Sequence, residues 1–489
     1  MHINLSGFRT CWLALLICTY LQTMADKTIY VLADIHVMAP SLLDSSDNEA
    51  WQADLANHRK MQELSVPVFD QLVEEIIAKK PDLLLIIGDM TKDGEHESHE
   101  YVINKLTKIK EAGIGVYVIP GNHDRGWMEE ARRYSNNTYI KIDSYWDNDF
   151  PEAYHDFGYG ENSELHDGSL SYATQLFPGL TLIGIDTGNM AQVDESTIDW
   201  VGRKASEARA RGDQAIVMAH HSLIPHFYGQ ESFMMYSVIN TNEQLRDRLM
   251  EAGVKAVFTG HYHISDNTRY VNSEGQEIYD IATGSPIAYP CDYRVLTFDD
   301  NFRQLKITTE SIKTLDGYDN FPQYARNRLQ KAFLRWAEDW LIEQSIHERV
   351  ASFLSESVAD IFIIHAEGNE PQNPASPEAV VLYDDILFFS KFIEEEESAE
   401  KLNEFSLTMK SMLGDYPSAE EQDNIVNDRS LTITLPTLPT AITGIQESGQ
   451  ASSHWYTLQG MRLSGKPTRP GLYIHNGKRI KYDGKKIIK

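Results

Sequence analysis

Leu83-Leu84-Leu85-Ile86-Ile87-Gly88-Asp89-Met90-Thr91-Lys92-Asp93-Gly94 is an aliphatic run that stops abruptly in a turn. A short unbroken apolar run bounded by glycine reads as a buried strand, and Gly88 permits the tight turn that leaves Asp89 at the strand's C-terminal end. The same design recurs outward from this stretch in both directions. Thr28 to Ala33, Val116 to Ile119, Leu180 to Ile185, Ala215 to Ala219 and Ala256 to Thr259 are apolar runs of strand length. Val66 to Lys79 and Ser98 to Ala112 place apolar residues at three-to-four spacing, as helices burying one face would. From Lys27 to about Ile312 the alternation predicts an α/β domain built in layers.

The residues just past each strand carry the chemistry. Asp34-Ile35-His36 comes after the first run, and a carboxylate and an imidazole two residues apart can chelate one cation from the same side of an extended segment. Asp89 has two oxygens, enough to bridge two cations about 3.5 to 4 Å apart. Gly121-Asn122-His123-Asp124 comes after the third run and Pro120. The amide oxygen of Asn122 can bind a metal without adding charge, His123 can serve as a proton donor, and Asp124 can orient that imidazole. The same four residues also fit an ordinary Asx turn. His220-His221 and Gly260-His261-Tyr262-His263 complete the series, each directly after a strand. Imidazoles delivered by buried strands need metals or hydrogen bonds to satisfy them, and no thiolate accompanies them. Open α/β sheets bind ligands beyond the C-terminal ends of their strands, where all five blocks fall.

As a set, the five blocks resemble the calcineurin-like metallophosphoesterase family, whose signature runs D-x-H, G-D, G-N-H-D or G-N-H-E, H and G-H-x-H in that order. The resemblance covers about Lys27 to Ile312 and implies a four-layer α/β/β/α metallophosphoesterase sandwich with a dinuclear centre at the strand ends. Carried over residue by residue, Asp34, His36 and His263 would bind one divalent ion, Asn122, His220 and His261 the second, and Asp89 would bridge them. His123 would be the general acid, beside Asp124. His220 is preferred to His221 because it comes directly after the strand, which leaves His221 behind the ligands or facing substrate. The resemblance implies hydrolysis of a small-molecule phosphate monoester or diester by a metal-bridging hydroxide. Purple acid phosphatases carry a tyrosine ligand three residues after the bridging aspartate, where this chain has Lys92, so the remaining donors suit Mn, Fe or Zn. A metal-free scaffold of the same fold, used for binding partners, is the competing reading. Segments that resemble secreted bacterial phosphohydrolases add His226, Tyr172, Arg294 and Arg125 as residues that could reach a phosphate or its leaving group.

Composition constrains partners and location. The 489 residues carry a formal net charge of −28, which argues against a nucleic-acid partner held through phosphate contacts. Arg9, the apolar stretch Trp12 to Tyr20 and Thr23-Met24-Ala25 read as a signal peptide over 1–25, and predict a secreted, periplasmic or cell-surface protein without a transmembrane segment in its mature chain. Cys291 is then the one mature cysteine, so no intrachain disulfide forms.

Beyond the catalytic domain, expected over 26–312, residues 313–415 lose their strand signals. Trp336, Trp340, Leu341, Val350, Phe353, Leu354 and Ile361 fall at helical spacing. Ser376 and Pro377 read as N-cap and first residue of a helix running to Ile393. Residues 416–440 read as a Thr- and Pro-rich linker. The last stretch, 441–489, reads as a small β-unit with turns at Asn476-Gly477 and Asp483-Gly484. Its Trp455, Leu458-Gln459-Gly460, Gly471-Leu472-Tyr473-Ile474 and Asn476-Gly477-Lys478 resemble the C-terminal sorting domain of type IX secretion substrates, which implies contact with secretion machinery.

Overall fold

The computed structural model describes residues 26–126, 130–368, 370, 376–415 and 426–437, and, nearer the C-terminus, 455–457, 463, 466–468, 471–475, 478–482 and 487–488. The expected signal peptide over 1–25 and the expected turns at 476–477 and 483–484 lie outside the described residues. Two compact units divide the chain, Met1–Leu438 and Pro439–Lys489.

The strands of the first unit that matter for the site are, in chain order, β1 (Lys27–Leu32), β2 (Leu83–Ile87), β3 (Gly115–Ile119), β4 (Tyr172–Phe177), β5 (Leu180–Ile185), β6 (Gln214–Ala219), β7 (Ala256–Thr259), β8 (Asp266–Val271), β9 (Glu277–Ala282), β10 (Asp292–Phe298), β11 (Gln304–Ser311) and β12 (Ser430–Thr434). They form two sheets. One has the order β12-β11-β10-β1-β2-β3, and the other runs β8-β9-β7-β6-β5-β4 with the two-residue strand Glu164–Leu165 at its edge. β1, β2 and β3 are mutually parallel, as are β5, β6, β7 and β9. Their C-terminal ends therefore lie along one edge of each sheet.

Side-chain alternation along the strands explains why the sheets stack. Leu180 and Leu182 of β5, Ile216 and Met218 of β6, and Ala256 and Phe258 of β7 join the core shared with the first sheet. The intervening Ile183, Ile185, Val217, Ala219 and Val257 join a separate core under helices Glu195–Arg211 and Asn242–Ala252. A period of two puts successive residues on opposite faces, and here both faces are apolar, so each is covered. Helices Ser65–Lys79 and His96–Glu111 cover the first sheet through Val68, Phe69, Leu72, Val102 and Leu106. The result is the expected α/β class, helix, sheet, sheet, helix.

Residues Phe321–Glu343, Glu348–Glu367, Pro377–Ser390 and Glu396–Gly414 form four helices with their own core, which also takes in Phe227, Tyr262 and Ile264 from the strand-end loops. Ser376 caps the third helix by accepting from the Ala379 N–H at 3.1 Å. That helix stops at Ser390, short of Ile393, and the acidic run beyond it opens the next helix, where carboxylates favour the positive end of the dipole.

The expected linker over 416–440 needs correction. Ser430–Thr434 within it is the edge strand β12, antiparallel to β11 with Leu431 opposite Ile307. Leu431 and Ile433 sit two residues apart and turn the same face to the core, where Ile433 is buried. The chain thus leaves the sandwich for the four helices and returns to its sheet. In the second unit, Trp455–Thr457, Gly471–His475, Lys478–Tyr482 and Ile487–Ile488 form a four-stranded antiparallel sheet.

Candidate metal centre

Strand pairing continues past the strand ends and aligns the first two blocks. The Asp34 N–H donates to Gly88 O at 3.1 Å, His36 N–H to Asp89 O at 2.9 Å and Val37 N–H to Met90 O at 2.8 Å. A second bond crosses between the sheets, from the His261 N–H to Asp34 Oδ2 at 2.8 Å. Asp34, His36, Asp89, His261 and His263 all have positive φ, from 42° to 65°. Non-glycine residues pay about 1 to 3 kcal/mol for such backbone, and it concentrates where side chains must be aimed.

Two groups of donor atoms result. Asp34, His36, Asp89 and His263 each offer one atom within 4.8 Å of the others. Within this group His36 Nε2 and His263 Nε2 are 3.1 Å apart, His263 Nε2 is 3.4 Å from Asp34 Oδ1, and His36 Nε2 is 3.6 Å from Asp89 Oδ2. In the other, Asn122 Oδ1 lies 3.0 Å from His220 Nε2 and 2.9 Å from His261 Nδ1. Asp89 Oδ2 is 3.3 Å from His220 Nε2, so one carboxylate oxygen faces both groups. All seven residues expected as ligands come together here.

These residues fit cations. Asp34 Oδ1 is buried with no hydrogen-bond partner among the described residues, a costly arrangement for a polar atom unless something else satisfies the site. Burial holds the imidazoles of His36, His261 and His263 below the usual histidine range, in the neutral form that ligates metals. Burial opposes ionisation of Asp89, yet the imidazoles of His220 and His123 keep its carboxyl well below the usual range. Burial also opposes a charge on His220, and Asp89 reverses this, raising it to about 9. His221 lies beside the second group, its Nδ1 2.7 Å from Thr187 Oγ1 and its ring 4.4 Å from that of His261.

His123 borders the ligands, its ring 4.9 Å from that of His36. Its Nδ1 is 2.8 Å from Lys92 O and 3.0 Å from Asp93 Oδ1. The orienting role expected of Asp124 is corrected by this geometry. Asp124 accepts from the N–H groups of Gly121 and Thr91, both at 2.9 Å, and from Thr91 Oγ1 at 3.0 Å, which fastens the turn to the neighbouring loop. A carboxylate committed to those donors cannot also steer the ring, and Asp93 does so instead. Asp93 sits in the same turn as Asp89, but its contact with a residue thirty positions away leaves no mark in the sequence.

Arg125, Tyr172, His226 and Arg294 prove to be framework residues. Arg125 pairs with Asp186 and Asp147, Tyr172 donates to Val118 O, His226 lies 3.0 Å from Asp266, and Arg294 is fully buried against Ala282 O and Asp428 O. Different residues face the open side of the centre, and sequence reasoning missed them. A cavity of about 550 Å³ beside His123, His261 and His263 is lined by Lys60, Lys92, Arg59 and, from the helical region, Phe333 and Phe362. Lys60 is buried, and that burial lowers its ammonium to about 8. It lies in a loop without a motif, so nothing in the sequence marks it.

Six residues offering N and O donors around the Asp89 carboxylate, at the strand ends of a sandwich, form the kind of arrangement that dinuclear metallohydrolases use. Residues 27–265 match the calcineurin-like phosphoesterase family model, and this part of the chain is a calcineurin-like metallophosphoesterase domain. Solved structures similar to the chain include a dimetal phosphatase from Danio rerio, at 12% identity and TM-score 0.41, covering 58% of this chain and 96% of that one. A purple acid phosphatase from yellow lupin (Lupinus luteus) seeds is 14% identical with TM-score 0.38, covering 61% and 53%. The phosphopantetheinyl hydrolase of Mycobacterium tuberculosis is 12% identical with TM-score 0.27, covering 54% and 91%. No curated protein matches the sequence. No helix among the described residues is long and apolar enough to cross a membrane.

Proposed function

We propose that the domain hydrolyses a small-molecule phosphate ester at this centre, with Asp34, His36 and His263 holding one divalent cation, Asn122, His220 and His261 a second, and Asp89 between them. The observation that carries this reading is that Asp89 Oδ2 faces His36 on one side and His220 on the other, at 3.6 and 3.3 Å. When bound, two such cations supply an acidified water as nucleophile and offset charge on the phosphoryl oxygens. His123 donates a proton to the leaving alkoxide. Its Nδ1 is engaged by Lys92 O and Asp93 Oδ1, which fixes the ring and leaves Nε2 to carry that proton. Asp93 is a positioning residue.

Metal analysis of the purified protein, paired with a panel of phosphate mono- and diesters, tests the reading. Hydrolysis of at least one ester should disappear on chelation and return with Mn, Fe or Zn. Protein that carries no metal at this centre and hydrolyses no member of the panel would refute it. His123→Ala should slow an alkyl ester by about 10² to 10⁴ and spare a nitrophenyl ester, whose leaving group needs no acid. Equal losses on both would remove His123 from that role. Secretion, supported by Arg9, the apolar stretch after it and the sorting-like tail, is part of the proposal and is testable by cell fractionation.

A further inference from the structure

The cavity beside the strand-end centre has two kinds of lining, and the polar kind is nearly all engaged within itself. Asp54 Oδ2 lies 3.1 Å from His58 Nε2 and 3.4 Å from Lys92 Nζ, and Asp54 Oδ1 lies 3.5 Å from Arg132 Nη1. Lys92 also pairs with Asp93, and the Arg59 guanidinium lies over the Phe333 ring, 5.6 Å from its centroid. Lys60 differs. It is only 6% exposed, and among the described residues its ammonium has no hydrogen-bond partner and no ion pair.

The backbone fixes Lys60 where it stands. The next residue, Met61, donates its N–H to Ile287 O at 2.7 Å, and the Gln62 side chain donates to His36 O at 2.6 Å, so the loop is fastened to the backbone of a proposed ligand. The ammonium feels the charges of Asp89, Asp93 and Asp34. Asp93 is already paired with Lys92, and Asp34 and Asp89 together carry less charge than two divalent cations. A loaded centre is therefore positive toward Lys60. A buried ammonium facing positive charge is costly unless an anion stands between them, and the anion that reaches this centre is the phosphoryl group of the substrate.

The other lining is hydrocarbon. Phe333 and Phe362 stack with ring centroids 4.2 Å apart in the core of the helical region and give their remaining surface to the cavity. Phe233, Met234 and Met235 line the same cavity from consecutive positions, and Met235 is 74% exposed. An apolar run left open at the mouth of a site marks a ligand contact, and methionine side chains adapt their shape to what they meet. The volume of about 550 Å³ falls within the roughly 300 to 1,000 Å³ that holds a small organic molecule.

We propose that the substrate is a phosphate monoester of an apolar alcohol, an inference that rests on the reading of the centre as a phosphoesterase. Lys60 Nζ holds a phosphoryl oxygen, and the hydrocarbon of the alcohol lies against Phe333, Phe362 and residues 233–235. A monoester near neutral pH carries up to one negative charge more than a diester, and the unpaired ammonium meets that extra charge. Lys60 is thus a specificity determinant that binds both the ester and the phosphate product, as a compact point charge with three donors can.

The test is steady-state kinetics of the Mn²⁺-loaded full-length protein on n-alkyl phosphates from methyl to hexyl, whose leaving groups have closely similar acidity, with glycerol phosphate as the polar control and methyl hexyl phosphate as the diester. kcat/KM should rise about two- to fourfold for each added methylene, and hexyl phosphate should be preferred to both controls. Met235→Ser, at an exposed position, should flatten that rise. Lys60→Met should bind as much Mn²⁺ as wild type, yet raise KM for monoesters and the inhibition constant of inorganic phosphate by about ten- to a hundredfold, and Lys60→Arg should recover part of the loss. Hydrolysis without dependence on chain length, a preference for the diester, or unchanged phosphate inhibition in Lys60→Met would overturn the proposal and leave the phosphoesterase reading standing. A loss of bound Mn²⁺ in Lys60→Met would assign that residue to the framework of the loop and overturn its role. No hydrolysis of any ester by the metal-loaded protein would overturn both readings.

Discussion

At the scale of the residue, the centre depends on how closely backbone and side chain approach. A Cβ built on Gly121 would lie 2.1 Å from Asp89 Oδ1, and one on Gly88 would lie 2.6 Å from His220 Nδ1. Gly88 also has φ of 75°, which other residues adopt only under strain. Gly121→Ala should therefore displace Asp89 and reduce metal affinity at the strand-end centre by about tenfold or more, as losses of support around ligands typically do. Isothermal titration with Mn²⁺ checks this, and unchanged affinity would show that Asp89 has room to move. The residues proposed as ligands are legible in the sequence because each comes after an apolar run and each is a recognisable donor type. Asp93 and Lys60 are not, since their roles arise from contacts with residues remote in sequence, and Asp124 is misread because adjacency to His123 suggests a bond that its three donors preclude.

At the scale of the element, the strands and most helices follow from periodicity, and the exceptions have physical causes. β5, β6 and β7 carry apolar residues on both faces because one face meets a sheet and the other a helix. β12 escapes notice because a five-residue edge strand with two apolar side chains looks like linker until its partner is known. Helix His96–Glu111 does more than cover the first sheet. Its buried His99 has Nδ1 2.8 Å from the Tyr154 hydroxyl and Nε2 2.9 Å from Asp124 O, so it supports the turn that presents Asn122 and His123. Burial lowers this imidazole from 6.5 to about 3. Its unfolded form binds a proton more readily, so the stability it contributes is complete above pH 6.5 and is lost as pH falls toward 3. Denaturant melts across that interval should show a shallower acid decline in His99→Phe than in wild type. Identical slopes would mean that other groups govern acid unfolding.

At the scale of the whole molecule, a chain of net charge −28 places Arg59 and Lys60 in the cavity beside the strand-end centre, where Lys92 is paired with Asp54 and Asp93. The sandwich provides the strand ends, the helical region adds Phe333 and Phe362 as an apolar wall, and β12 returns the chain to the first sheet. The layered α/β class is legible in the alternation of runs. The closing of the helical region over the strand-end loops is not, because it depends on Phe227 and Tyr262 packing against residues a hundred positions away. The central claim is that Asp89 stands between two cations. Anomalous diffraction at the manganese edge, from crystals of protein reconstituted with Mn²⁺, tests it most directly. The account predicts two peaks about 3.5 to 4 Å apart flanking the Asp89 carboxylate, one beside His36 and His263 and one beside Asn122, His220 and His261. A single peak, or none, at that carboxylate in protein that actively hydrolyses a phosphate ester would contradict it.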